Sequence, residues 1–457
     1  MAAPIVVIQM QRLGDVVLTF PLLLWLRRQY PDQEIWLRAD PQFAALAAGL
    51  APPVRWLGPQ DDPALISTPC ALVIHLGHSA EGARLAGAIP AARALGRVWR
   101  HGVLRVHGPW MRYRESLILA NRHNRFHWAD LHALDSVSRD IMASTRWDLP
   151  RHTPTDRVGL FLGASEAAKR PSPAFWAALA RYMMRRGLTP VLLGGPAEVP
   201  LGEEVRRLVR RPLLDLCGRL SLERLAVLGE QLALLVSPDT GPMHVAAWTG
   251  LRVVNLSLGP VWAWDTAPYQ PGHLVVQPSA SCSGCWQCSR RLACHQVFAP
   301  RAVAQLVESV MAGKSSWQPP SGLILGRTDR DEGGRFVLVP VAGHQAHVRH
   351  LVAAYWRALW LAVLGGESPA ACRQHAAALW EYAPALAKRL VRSATQLAQM
   401  VAAARTAHYL PWQTLAPGLR PLASYVAVCL ESDDFAPSSC LAAMDLVEQH
   451  LAWISPA

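Results

Sequence analysis

The sequence predicts an α/β protein: two successive parallel-sheet units facing a cleft, followed by a helical extension. Three observations carry this. Short β-branched runs alternate with apolar-periodic stretches. The alternation pauses at a polar segment bearing Pro150 and Pro154, then restarts. Beyond about residue 314 the chain turns Ala- and Leu-rich with helical periodicity.

The first unit, 1–150, opens with the strand Ile5–Gln9, a polar turn containing Gly14, and an apolar-periodic helix over 16–28. Strand, glycine turn and helix together begin a βα unit. The runs EIWLR at 34–38 and ALVIHL at 71–76 read as further buried strands. Such alternation implies a parallel sheet covered on both faces. In the second unit, 151–315, strands are expected at 157–162, 189–193, 233–237 and 252–256. Helices are expected at 173–186, 222–231 and 243–249. Two such sheets joined by a linker make two Rossmann-like domains, with ligands beyond the carboxyl ends of the strands. Residues 316–457 read as a helical extension, with periodic stretches at 348–364, 370–404 and 441–454 and no motif assignable to chemistry.

The size and composition agree with this division. At about 150 residues per domain, 457 residues make roughly three domains. Hydrophobic residues are 51% and charged residues 17%, enough for large cores and too apolar for disorder. The 45 Lys+Arg against 33 Asp+Glu leave a net charge of +12. A basic surface suits nucleic acid, an anionic membrane or a phosphorylated substrate, and charge does not choose among them. No recognised nucleic-acid motif accompanies it. There is no run of about 18 apolar residues to span a bilayer, and the N-terminus lacks a basic region and cleavage site. Nine cysteines, an odd count with four crowded between Cys282 and Cys294 and the rest scattered, are unlike a disulfide framework. The expected location is the cytoplasm.

Five features could carry chemistry. Arg12-Leu13-Gly14-Asp15 places a carboxylate at the end of the first strand, either as a general base facing the cleft or as an N-cap for the following helix. The loop after strand 157–162 offers small residues, the Ser165 hydroxyl and the Lys169 charge for phosphate; alternatively it is a solvated loop. Ser237-Pro238-Asp239-Thr240-Gly241-Pro242-Met243-His244 joins a strand to a helix, and backbone N–H groups at such a helix start form an anion site. Asp239 would then bond a sugar hydroxyl or order the loop, and His244 is either part of the site or a core histidine. Cys282, Cys285, Cys288 and Cys294 have the density of a structural zinc or iron site, with a reduced thiol loop as the alternative. Arg93, Arg97, Arg100, Arg105, Arg112, Arg114, Arg122 and Arg125 form a basic belt, either a solvated face or a dock for an anionic partner.

These motifs, in this order, resemble glycosyltransferase family 9, the ADP-heptose:lipopolysaccharide heptosyltransferases. "IVVIQMQRLGDVVLTFPLLLWLRRQYPDQEI" is similar to the family's opening strand, R-x-G-D turn and T-x-P-L-L helix. "VGLFLGASEAAKR", "VLLGGPAE", "LCGRLSLERLAVL" and "LLVSPDTGPMHVAAWTGLRVVNL" are similar to its donor half, the D-T-G-x-x-H block being the most specific. The resemblance runs from about residue 4 to 312, and Pro171 stands where the family usually has Trp. It implies a GT-B fold, no cofactor or metal required for catalysis, and inverting transfer from ADP-heptose to a lipopolysaccharide core or lipid A-type acceptor. It further implies Asp15 as base, Ser165 and Lys169 as diphosphate contacts, and Glu198 as ribose contact. Asp239, Thr240 and Gly241 grip the sugar and phosphate, with His244 in the same block. On this reading Arg93, Arg97, Arg100 and Arg105 dock an anionic glycolipid, the protein works peripherally at the inner face of the membrane, and nucleic acid is not a partner. Two alternatives stand beside it: transfer of heptose or another sugar to a protein or other surface glycan, and a non-catalytic scaffold.

Overall fold

A computed structural model describes residues 2–118, 120–280, 282–286, 288–314, 317–343 and 348–455, apart from the side chains of Leu46 and Arg405. Two sheets form the frame. The first contains β1 (Ile5–Gln9), β2 (Ile35–Ala39), β3 (Arg55–Leu57), β4 (Cys70–His75), β5 (Ala91–Arg100) and β6 (Val103–His107), in the order β3-β2-β1-β4-β5-β6. All its pairings are parallel except β5 with β6. The central β1 is buried throughout, since Ile5, Val7 and Val6, Ile8 feed hydrophobic clusters on opposite faces. Two-sided burial explains why it reads as a continuous apolar run.

The second sheet contains β7 (Arg157–Phe161), β8 (Thr189–Leu193), β9 (Leu214–Asp215), β10 (Leu234–Pro238), β11 (Val253–Leu256), β12 (Leu274–Pro278), β13 (Leu323–Arg330) and β14 (Phe336–Ala342). Its order is β14-β13-β12-β11-β10-β7-β8-β9. The strands β7 to β12 pair in parallel, and β13 and β14 add as an antiparallel hairpin. Two α/β domains facing each other in this way are the GT-B fold.

The hairpin corrects the expectation that 316–457 is wholly helical. Residues 323–342 extend the second sheet, and the boundary expected at 315–316 lies outside the described residues. Leu323 and Leu325 enter the core of the second domain, while Phe336 and Leu338 reach that of the first. Short β-branched runs amid Ala- and Leu-rich helices carried too weak a period-2 signal to stand out.

Five helices follow: Val348–Val363, Ala370–Tyr382, Pro384–Ala407, Arg420–Ser432 and Pro437–Ile454. Their core is continuous with the first domain, for Trp110, Tyr113 and Phe126 share one buried cluster with Tyr355, Trp356, Trp360 and Val426. At its rim Arg112 grips Asp433 through both guanidinium nitrogens, at 3.0 and 2.6 Å. Buried Asp130 ties three parts together. It accepts from Tyr269 Oη at 2.5 Å and from the Phe336 backbone N–H at 2.8 Å, with Arg330 at 3.7 Å. Among the described residues, no helix is long and apolar enough to cross a membrane.

Candidate active site in the cleft

The chain leaves β1 at its carboxyl end and enters the short helix Leu13–Val17. Arg12, not Asp15, is the N-cap residue, and no side chain caps this helix. Asp15 therefore sits in the first turn with its carboxylate uncommitted to the backbone, so the capping alternative falls. The turn lies directly against the start of the helix Gly241–Trp248, where a β-carbon on Gly14 would lie 3.5 Å from Gly241 Cα and 3.3 Å from His244 Cδ2. A β-carbon on Gly241 would lie 3.1 Å from Leu13 Cδ2 and 3.3 Å from the Gly14 nitrogen. Small residues on both sides of the cleft thus bring Asp15 to the D-T-G block.

Burial raises the Asp15 carboxyl above the ordinary range, and Asp239 adds to this while Arg114, Arg12 and His78 oppose it. Arg114 is the residue the sequence reading missed. In sequence it belongs to the belt, yet its guanidinium is buried, lies 4.7 Å over the Trp128 ring, and has an Nε and an Nη2 without hydrogen-bond partners among the described residues. Burial pushes it down to about 10, against the pull of Glu115 and Asp15. Only its place on the helix Pro109–Ser116 decided that it turns inward.

Across the cleft, Lys169 Nζ lies 3.0 Å from Asp239 Oδ2, and His244 Nε2 lies 3.7 Å from Asp239 Oδ1. Burial holds His244 down at about 4, so the ring is neutral at pH 7. Asp239 Oδ1 and His244 Nδ1 are buried without hydrogen-bond partners among the described residues. Thr240 is the N-cap residue of the Gly241–Trp248 helix, but its hydroxyl makes no capping bond. The first N–H groups of that helix and the Thr240 hydroxyl suit an anionic group, whereas the unspent Asp239 oxygen, an acceptor, suits a hydroxyl donor.

Ser165, Glu198 and Thr240 share a cavity of about 450 Å³ beyond the ends of β7 and β8, floored by Gly163, Gly194 and Gly195. This falls within the usual size of a cofactor-sized site. Glu198 Oε2 accepts from the Gly195 N–H at 2.9 Å. At Gly163 a β-carbon would come within 2.4 Å of Glu198 Oε1, so any larger residue there would displace the carboxylate. Pro171 is accommodated because Ser172 caps the next helix, accepting from Phe175 N at 3.2 Å.

Of the site residues expected from sequence, Asp15, Lys169, Asp239, Thr240, Gly241 and His244 converge, with Ser165 and Glu198 lining the adjoining cavity. Arg93 donates to Asp135 O at 2.7 Å, Arg97 to His78 O at 2.9 Å and Arg100 to Gly87 O at 3.0 Å. Arg105 is exposed on β6, opposite Val98. β5 and β6 present these arginines to different neighbours. Cys282, Cys285, Cys288 and Cys294 are free thiols along one loop. Among the described residues, no group of three or more His, Cys, Asp or Glu side chains could hold a metal ion. What the loop does hold is the donor side: His295 Nε2 donates to Ala168 O at 2.7 Å, beside Lys169.

Residues 130–294 match the family model of glycosyltransferase family 9 (heptosyltransferase). The match covers 165 of the 457 residues. The matched segment contains β7 to β12 and Ser165, Lys169, Glu198, Asp239, Thr240, Gly241 and His244. Solved structures share the fold. One is a family 9 glycosyltransferase from Veillonella parvula, 20% identical, covering 68% of this chain and 98% of that one with a TM-score of 0.54. Another is the E. coli ADP-heptose lps heptosyltransferase II, 17% identical, covering 68% of this chain and 100% of that one with a TM-score of 0.51. No curated protein matches the chain by sequence.

Proposed function

We propose that this glycosyltransferase moves a heptose from ADP-heptose, with inversion, onto a lipopolysaccharide core or lipid A-type acceptor. The observation that carries the reading is the meeting of two lobes: Asp15 on the first stands against the Asp239–His244 block and Lys169 on the second. In this reading the Asp15 carboxylate takes the proton of the acceptor hydroxyl as its oxygen attacks the anomeric carbon. The bond from that carbon to the diphosphate oxygen breaks, and ADP leaves with the electron pair. The raised basicity of Asp15 serves this step, because proton transfer is most efficient from a base matched to working pH. Lys169 and the N–H groups at Gly241 neutralise charge growing on the diphosphate by fixed electrostatics. Ser165 contacts the diphosphate, Glu198 the ribose, and Asp239 the sugar. Closure of the lobes excludes water that would hydrolyse the donor.

This route requires no metal, so exhaustive chelation should leave turnover unchanged; loss restored by adding back one metal would overturn it. A thermal-shift screen of nucleoside diphosphates and their sugars tests the donor, since a ligand bound only by the folded state raises the melting temperature. ADP and ADP-heptose should lead the series, and a preference for uridine or guanosine donors would replace this assignment.

A second reading keeps the donor and makes the acceptor a protein or another surface glycan. It is favoured by the engagement of Arg93, Arg97 and Arg100 with backbone carbonyls and of Arg112 with Asp433, which leaves few arginines of the belt for an acidic glycolipid. Product mass spectrometry with both acceptor classes separates the two. Work at the inner face of a membrane belongs to the first reading.

A further inference from the structure

A second cavity, of about 620 Å³, lies where both domains and the extension meet. Arg125 from the first domain, Trp262 and Trp264 at the start of the short helix Ala263–Thr266 after β11, and Arg349, His350 and Arg357 from the Val348–Val363 helix line it. Arg125 is only 5% exposed. Its Nη2 donates to Nδ1 of His350 at 3.1 Å, which makes that ring nitrogen the acceptor. Its Nη1 is buried with no hydrogen-bond partner among the described residues. The guanidinium lies 4.7 Å from the Trp264 ring and 5.4 Å from that of Trp262, with Arg349 4.2 Å from Trp262 on the same cluster.

The local acids do not balance these cations. Arg357 takes one oxygen of Asp331 at 2.6 Å, and Arg335 shares that carboxylate at 3.0 Å. Asp265 accepts from Asn121 and Asn124 at 2.6 and 2.7 Å, and burial raises it to about 7, which weakens it as a counter-charge. A buried guanidinium with an unspent donor costs free energy until an anion completes it.

We propose that this cavity binds a phosphate or carboxylate group, gripped by the unspent Nη1 of Arg125 together with Arg349. The planar fork of a guanidinium matches either anion, and tryptophan faces hold the fork in place. Burial, followed by the charges of Arg349 and Arg357, pushes Arg125 down to about 9, and burial with Arg122 pushes Arg349 down to about 10. A bound anion reverses both effects. Because the ligating side chains come from the first domain and the extension, with the second domain as wall, the anion also clamps the three parts together.

The test uses the full chain and inorganic phosphate, against chloride at equal ionic strength. Saturating phosphate should raise the melting temperature by about 2 °C, as a ligand selective for the folded state does. The rise should disappear in Arg125→Gln and in Arg349→Gln, and should persist in Lys169→Ala, which alters only the donor loop. Should Arg125→Gln fail to fold, half-buried Arg349 supplies the same comparison. The proposal is overturned by no rise in the wild type, by a rise that survives both arginine changes, or by a rise lost in Lys169→Ala alone. Turnover then separates the sources. A raised KM for a phosphorylated glycolipid in Arg349→Gln, with donor KM unchanged, assigns the site to the acceptor; an unchanged KM with the thermal effect lost assigns it to a free anion.

Discussion

At the scale of single residues, the two lobes meet through a few side chains whose environments differ sharply. Asp15 is held above the ordinary carboxylate range by burial and His244 is held down at about 4, also by burial. Asp15→Asn should leave ADP affinity near normal and lower kcat by about two or more orders of magnitude, the scale of a positioned general base; wild-type turnover would remove Asp15 from the chemistry. The pH profile should show an acid limb above the ordinary carboxylate value, and that limb should vanish in the residual activity of Asp15→Asn. Stability follows opposite signs for the two types of group. For His244 the contribution is complete above about 6.5 and is lost as pH falls toward about 4. For Asp265, raised to about 7, the contribution is complete at acid pH and is lost as pH rises to about 7. Removing the Lys169 charge should weaken ADP binding by about tenfold or more, the effect of losing a charge-assisted contact, as read by isothermal titration.

At the scale of elements, the decisive contact is between the Leu13–Val17 helix and the start of the Gly241–Trp248 helix. Gly241→Ala would press a methyl against Leu13 and the Gly14 backbone at 3.1 and 3.3 Å. Backbone yields little, so the expected cost is about 1–2 kcal/mol of stability. Parting the helices also moves Asp15 from the donor block, so kcat should fall more than ADP affinity; unchanged kcat with normal affinity would show that this spacing is not used. The strands and helices of both domains were legible because buried parallel strands read as apolar runs and their helices as periodic stretches. The hairpin of β13 and β14 was not, since its residues split between two cores. The cysteine loop was legible as a cluster, but its bond from His295 to Ala168 was not, because residues 127 apart meet only in the folded chain.

At the scale of the molecule, the extension is an integral wall of the first domain. Its largest aromatics share one core with Trp110, Tyr113 and Phe126. Removing residues 348–457 should therefore expose this surface and yield an aggregating protein; a monodisperse, active truncation would show that the extension is dispensable. The Arg112–Asp433 pair on the seam is partly exposed, and a double-mutant cycle should return a coupling of about 1 kcal/mol. Asp130 links the first domain, Tyr269 and the hairpin, so it fixes how the lobes and extension sit relative to one another.

The amino-acid order alone determined the succession of two α/β domains, the turn bearing Asp15, the Lys169 loop and the D-T-G-P-M-H block. Each of these is local: hydrophobic period, glycine and charge within a few residues specify strand, turn and helix start. Only the tertiary structure decided that Arg114 is buried where its charge acts on Asp15, that the belt arginines spread among separate neighbours, and that Arg125 closes a cavity with the extension. Those outcomes depend on which distant surfaces share a core, and an arginine reads the same in sequence whether it ends in water or beneath a tryptophan.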